Sequence, residues 1–206
     1  MIPKRIHTIW LSEDLTPELV LQCNASKDKF ALENGFVHVL WTLDNIPRTS
    51  EYVQKCLEMK DWVRAADYLR LQLLEENGGI YLDADAQIIG DFDGKLGSRM
   101  FVFTENSGYI NNGYIGAEAG HPFLRYVLNT MEHDFRFDVN LFWTGMQFFA
   151  EAYYIADREG LSMKIYNEED LKKIINHHAM MTWVKNEKTD TKNKEMVVGA
   201  EGSTAH

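Results

Sequence analysis

Between Trp62 and Leu74 the apolar residues recur with the period of a helix. At about 100° per residue, Trp62, Ala65, Ala66, Leu69 and Leu73 gather on one side, and Val63, Leu71 and Leu74 widen that surface into a broad arc. Asp67 and Arg70, three positions apart, fall inside the apolar arc. Charged side chains are rarely buried without partners. The pair is therefore either an ordinary intrahelical ion pair or a functional one, and periodicity does not choose between them. Gly78-Gly79 supplies the left-handed conformation expected at a helix end. The following Ile80-Tyr81-Leu82-Asp83-Ala84-Asp85-Ala86 reads as strand. Alternation on that strand places Tyr81, Asp83 and Asp85 on one face, with Ile80, Leu82 and Ala84 on the other.

The remaining pattern surrounds this stretch with strands and helices. Pro3 to Trp10 is an apolar, β-branched run that predicts a first buried strand. Thr16-Pro17 opens a helix with Pro at its first position, Asn34-Gly35 breaks it, and Phe36 to Trp41 forms a second strand. A helix between two such strands predicts a right-handed crossover and parallel pairing. Asp44-Asn45-Ile46-Pro47 is a loop in which Asp44 is either a ribose contact or a turn residue. Residues 50–59 predict a further helix, and Met100 to Thr104 another strand. Tyr109 to Ala117 is polar and aromatic, with glycines that permit close backbone approach. Its Asn111 and Asn112 serve either as sugar contacts or as ordinary turn chemistry. Helices from Pro122 to about His133 and from Thr144 to Ile155 are expected to cover the sheet. The aromatic run Phe135 to Trp143 between them is a candidate acceptor cleft. If 174–178 is strand, His177 and His178 point to opposite faces.

Composition narrows the function. A chain of 206 residues with 45% hydrophobic content is most simply one compact unit. Its formal charge of −10 argues against a nucleic-acid partner. It does not oppose a nucleotide diphosphate, because a bound metal and a few local cations can hold the phosphates. Two cysteines, Cys23 and Cys56, have no paired spacing, which excludes a disulfide framework and a zinc knuckle. With no leader sequence and no long apolar span, the expectation is a cytoplasmic protein without a transmembrane segment. The two acids of the strand repel each other unless a cation sits between them, and hard divalent ions prefer such oxygen ligands. A calcium loop over 83–94 fails, because the required acidic or amide residue and glycine are missing from their places.

Ala66-Asp67-Tyr68-Leu69-Arg70 followed by Gly78-Gly79-Ile80-Tyr81-Leu82-Asp83-Ala84-Asp85 resembles the D-x-D glycosyltransferases grouped as family 32, whose core is shared by the glucosylating domains of large clostridial toxins. Ala66 stands where the family often has Ser. The opening Pro3-Lys4-Arg5-Ile6-His7-Thr8-Ile9-Trp10 is similar to the family's first strand, as is Gly120-His121-Pro122-Phe123 to a later segment. Thr144-Gly145-Met146 departs from the usual Thr-Gly-Pro. His177-His178 with Thr182-Trp183 follows a terminal His-His-x-x-x-Ser-Trp, with Thr182 keeping the hydroxyl.

The resemblance implies an α/β fold of the GT-A type, a Rossmann-like nucleotide-binding half joined to a mixed-sheet acceptor side, over 1–184, with 185–206 as a polar tail. It implies retaining transfer of a sugar from a nucleoside diphosphate sugar, a uridine one foremost, to a glycan or lipid-linked saccharide, with peripheral membrane association for the latter. Asp83 and Asp85 then bind Mn²⁺ or Mg²⁺ with His178 assisting. Asp67 and Arg70 grip the donor sugar, Tyr81 shapes its pocket, and Thr8, Ile9, Trp10 and Trp183 contact the donor nucleotide. His7 belongs to the fold. Two rivals stand beside this reading. One is a haloacid-dehalogenase-like phosphatase with Asp83 as nucleophile, which leaves Asp67, Arg70 and the Gly-Gly unexplained. The other is a glycan-binding module without turnover.

Overall fold

The computed structural model describes residues 1–48, 50–104, 110–133 and 163–180. Its frame is the predicted crossover. Strand β1 (Arg5–Ile9) leads through helix α1 (Glu18–Asn34) to β2 (Val37–Trp41), and the strands pair in parallel from Arg5 opposite Val37 to Ile9 opposite Trp41. Gly35 ends α1 in the left-handed conformation (φ 69°, ψ 34°), its N–H bonded to the Ala31 carbonyl. Pro17 is the N-cap rather than the first helical residue.

Helix α2 (Glu51–Glu58) and helix α3 (Trp62–Asn77) return the chain to β3 (Gly79–Leu82), which pairs in parallel with β1 on the side away from β2. Asp61 caps α3 by accepting from the Arg64 N–H. Three more strands and a helix extend the sheet: β5 (Met100–Thr104), β6 (Ile110–Ala117), helix α4 (Pro122–His133) and β7 (Lys164–Tyr166). The order is β2-β1-β3-β6-β5-β7, with β6 antiparallel to both β3 and β5. A small second sheet pairs β4 (Ala86–Ile88) with β8 (Ile175–His177), the latter following helix α5 (Glu168–Lys172).

Apolar burial on both faces holds the sheet. Tyr52, Val53, Leu69, Leu73, Phe123 and Val127 of α2, α3 and α4 pack on one face with Ile9, Tyr81 and Ile115. On the other, Ile6, Ile80, Leu82, Phe101 and Ile175 form a second cluster to which Phe30 of α1 adds its ring, 5.8 Å from Phe92. The chain thus leaves β1 over one face and reaches β3 over the other. That reversal marks the C-terminal ends of β1 and β3 as the place where open α/β sheets bind ligands. Among the described residues no helix is long and apolar enough to cross a membrane.

The structure corrects three local expectations. Gly78 has positive φ but extended ψ (61°, −177°), so the helix end is not left-handed. The position still excludes a side chain: a Cβ there would lie 2.7 Å from the Ala119 nitrogen and 2.9 Å from Pro3 Cδ. The Asn111-Asn112-Gly113 string belongs to a strand, because Asn111 pairs with Phe103 of β5 and the residues that follow, 114–117, pair with β3; the register shift between Val102 and Phe103 marks the irregularity. And the D-x-D strand stops at Leu82, so Asp83 and Asp85 do not share a strand face; Ala84 and Asp85 form a turn closed by the Ala86 N–H on the Asp83 carbonyl at 3.1 Å. The expected helix at 144–155, the aromatic run at 135–143 and the tail at 185–206 lie outside the described residues.

His7 is structural, as expected. It is fully buried, accepts from the Trp41 indole N–H at Nδ1 (3.0 Å) and donates from Nε2 to the Gly78 carbonyl (3.0 Å), which makes it the neutral Nε2–H tautomer. Burial pulls its pKa down to about 4. The unfolded chain therefore takes up a proton near pH 6.5 that the folded chain refuses until about pH 4. This stabilisation is complete above pH 6.5 and is lost as pH falls toward 4, by about 3 kcal/mol in all. Urea unfolding at pH 7 and pH 4 should show a loss of that order, with the His7 ring still neutral at pH 5 in a ¹⁵N spectrum. A charged ring at pH 5 would contradict it.

Candidate active site

The acidic turn stands at the end of β3, where the sheet opens. Tyr81, the next-to-last strand residue, donates its hydroxyl to Asp83 Oδ1 at 2.9 Å. The Arg70 guanidinium lies over the Tyr81 ring, 4.7 Å from its centroid, and 3.6 Å from the same carboxylate oxygen. Arg70 also pairs with Asp67 Oδ1 at 2.9 Å and donates to the Asn112 carbonyl at 2.9 Å, while the Asn112 amide donates to Asp67 Oδ1 at 3.1 Å. Asp67 and Arg70 are thus held in a buried network joining α3, β6 and the turn, rather than standing as an isolated helical ion pair. Burial pushes the Asp67 carboxyl up, and the Arg70 charge opposes it. Burial likewise works against the charge of Arg70, but Tyr81, Asp67 and Asp83 outweigh it, so the guanidinium holds its proton more tightly than usual. The buried Tyr81 hydroxyl is shifted well upward and remains a donor.

Close backbone approach makes room for Asp83. A Cβ on Gly113 would lie 2.2 Å from Asp83 Oδ2, and the Gly113 carbonyl accepts from the Asp83 N–H at 3.1 Å. Any side chain at 113 would therefore displace the carboxylate. From the other side, Lys27 of α1 donates to the Asp83 and Ala84 carbonyls at 2.9 and 3.2 Å. Burial lowers its pKa to about 8.

Asp85 faces β8. The His177 Nε2 lies 3.4 Å from Asp85 Oδ1, and the Met180 N–H donates to Oδ2 at 2.8 Å. Burial alone would raise the Asp85 pKa, but the bonds from His177 and Met180 outweigh it and the carboxyl is held below its usual value. One ligand atom from each of Asp83, Asp85 and His177 lies within 4.8 Å of the others. Two carboxylate oxygens and an imidazole nitrogen are a donor set suited to Mn²⁺ or Mg²⁺.

It is His177, and not the expected His178, that the structure brings to the two acids. In β8 it is His177 that sits opposite Ala86, directly after Asp85, while the His178 ring lies 3.4 Å from Gln87 Oε1 and from Asn176 Nδ2 on the neighbouring side. The strand expected over 174–178 is only Ile175–His177, so His178 lies just beyond it, and the β4–β8 register sets His177 beside the turn.

Of the expected nucleotide contacts, Trp10 lies half-buried directly beyond the end of β1, its indole N–H without a hydrogen-bond partner among the described residues. Thr8 and Ile9 do not present their side chains at the open strand ends. Both are buried because the sheet is covered on both faces: the Thr8 hydroxyl is 3.2 Å from His38 Nε2, and Ile9 packs in the α3-side core. Trp183 lies outside the described residues. The residue that the sequence reading passed over is Lys27. Val20, Cys23, Asn24, Lys27 and Ala31 form the buried row of α1, and a lysine at such a spacing among small and apolar residues is the signal that could have found it.

Residues 1–195 match the family model described as capsular polysaccharide synthesis protein. The chain belongs to that family. Among its relatives, an uncharacterized glycosyltransferase of Acanthamoeba polyphaga mimivirus is 31% identical over 144 residues, 64% of this chain and 56% of that protein. Inositol phosphoceramide mannosyltransferase 3 of Schizosaccharomyces pombe is 28% identical over 135 residues, 63% of this chain and 37% of that protein. The match therefore spans little more than half of the first relative and about a third of the second. The solved PaToxG glycosyltransferase superposes with a TM-score of 0.58 at 19% identity, covering 78% of this chain and 71% of its own. At that identity the likeness shows a shared fold, and the α/β, GT-A-type expectation is borne out at that level.

Proposed function

We propose that this capsular polysaccharide synthesis family member is a metal-dependent, retaining glycosyltransferase of the family-32 kind. It moves a sugar from a nucleoside diphosphate sugar, a uridine one foremost, to a glycan or lipid-linked acceptor. The observation that carries the reading is the convergence of Asp83, Asp85 and His177 at the end of β3, beside the end of β1, where the sheet reverses direction. The relatives named as glycosyltransferases support the reaction class, and the inositol phosphoceramide mannosyltransferases support an acceptor presented on a lipid.

In this reading Asp83, Asp85 and His177 hold Mn²⁺ or Mg²⁺. When bound there, such an ion would supply Lewis-acid stabilisation for the negative charge of a departing diphosphate. The protein's own part is preorganisation. Tyr81 and Arg70 fix one oxygen of Asp83, Met180 and His177 fix Asp85, and Gly113 keeps the space between β6 and the turn clear. Trp10, half-buried directly beyond the end of β1, offers a flat apolar surface for the nucleotide base. Asp67 and Arg70 act on the donor sugar from a buried pair whose geometry Asn112 sets. Same-face attack by an acceptor hydroxyl on the anomeric carbon, as the bond from that carbon to the diphosphate breaks, is the preferred route to retention over double displacement, for which the sequence shows no carboxylate nucleophile in place. A cytoplasmic location, with association to the inner face of the membrane for a lipid-linked acceptor, stays part of this proposal. The phosphatase and glycan-module readings gain no support from the family or from the relatives.

Calorimetric titration of uridine and guanosine diphosphates, with and without Mn²⁺, tests the proposal. Manganese-dependent binding of the uridine nucleotide in preference to the guanosine one is expected. Binding of neither under any condition would remove the donor-site assignment.

A further inference from the structure

The acidic turn directs its carboxylates toward Arg70 and His177, and its backbone toward α1. Lys27 is fully buried there, and its ammonium donates to two successive carbonyls, Asp83 at 2.9 Å and Ala84 at 3.2 Å. One residue earlier, Ser26 Oγ accepts the Ile88 N–H at 3.1 Å and donates to the Cys23 carbonyl at 2.7 Å. Helix α1 thus pins the segment on both sides of Asp85. Packing does not call for a lysine in this place. Val20, Cys23 and Ala31 bury the same row of the helix, and an apolar side chain would avoid desolvating an ammonium. What the ammonium adds is a pair of charge-assisted hydrogen bonds to consecutive peptide units and a positive charge that interacts with Asp83 and Asp85. Fixing those two carbonyls sets the backbone from which both acidic side chains leave. The charge offsets part of the repulsion between the carboxylates that brings them together.

We propose that Lys27 is the positioning residue of the acidic turn, holding Asp83 and Asp85 in the arrangement that receives a divalent cation. The inference rests on the glycosyltransferase reading above and adds to it a residue from a different helix. Lys27 touches neither substrate nor cation; it acts through the backbone of the residues that do.

The test measures binding of Mn²⁺ alone to the full chain, by the loss of the free-ion spin-resonance signal, in the unmutated protein, Lys27→Met, Lys27→Gln and Val20→Ala. Supporting groups behind metal ligands typically contribute tenfold to a hundredfold in affinity, so Lys27→Met is expected to weaken binding by about tenfold or more. Lys27→Gln keeps a donor without the charge and should fall between. Val20→Ala removes buried volume from the same helix without touching the turn, and it is expected to lose stability while keeping affinity within about twofold.

Absence of Mn²⁺ binding by the unmutated chain overturns the site reading and this inference together. Binding that Lys27→Met keeps within about twofold overturns the role of Lys27 alone, as does equal weakening in Val20→Ala. Should Lys27→Met fail to fold, Lys27→Gln decides. Affinity within about twofold of the unmutated chain overturns the role, and a larger loss with the fold intact supports it.

Discussion

Asp85→Asn is expected to abolish manganese-dependent nucleotide binding and to lower any sugar transfer by about 100-fold or more, in a chain that stays folded. The substitution keeps the shape of the side chain and one oxygen. In the structure Asp85 Oδ2 accepts the Met180 N–H at 2.8 Å, and an amide oxygen can do the same, so the link to the segment after β8 survives. What is lost is the negative charge beside His177, whose Nε2 lies 3.4 Å from Asp85 Oδ1. A neutral amide is a weak ligand for a hard divalent cation, and its NH₂ group, if turned toward the histidine, offers no lone pair to a metal. Calorimetry of the uridine nucleotide with Mn²⁺ reads the loss directly, and circular dichroism reports the fold. An Asp85→Asn protein that binds the metal and nucleotide as before would sink the assignment of the turn as the metal site.

Arg70→Met produces the largest expected loss of stability, about 3–5 kcal/mol or roughly 10 °C in Tm. Methionine fills much of the volume, so the loss is electrostatic. Among the described residues, buried Asp67 keeps the Asn112 amide alone as a hydrogen-bond partner, and Asp83 loses the guanidinium 3.6 Å away. Removing one member of a buried pair leaves an uncompensated charge; removing both charges is far less damaging. The Asp67→Asn, Arg70→Met double variant should therefore recover a large part of the stability and none of the transfer activity. Urea unfolding of the two singles and the double, read as a double-mutant cycle, measures the coupling. A loss below about 1 kcal/mol in Arg70→Met would show that the pair is too solvated to organise the site.

Much of the architecture could be read from local pattern. The β-branched run near the N-terminus, the break at Gly35, the helical arc from Trp62 and the apolar segment at Met100 became β1, the end of α1, α3 and β5. Each is a segment in which local preference and burial agree, so tertiary packing had nothing to override. The stretch at 110–117 is the opposite case. Its asparagines and glycines favour turns locally, yet strands on both sides supply ladder partners and make it a central strand.

The site divides in the same way. The contiguous arrangement of Asp67, Arg70, Gly78-Gly79, Asp83 and Asp85 is a property of the sequence, because spacing along a helix and past a tight break requires no distant partner. Which histidine approaches Asp85, whether the acids stay on the strand, and that Thr8 and Ile9 are covered were decided by contacts between residues far apart in the chain. Asp85 and His177 meet only through the β4–β8 register; Lys27 reaches the turn across 56 positions; Gly113 matters because β6 lies against β3. Sequence alone determined the chemistry available and the local elements that carry it. The tertiary structure decided which groups meet, because burial, register and the approach of separate elements are set by the packing of the whole sheet and are not encoded in any one segment.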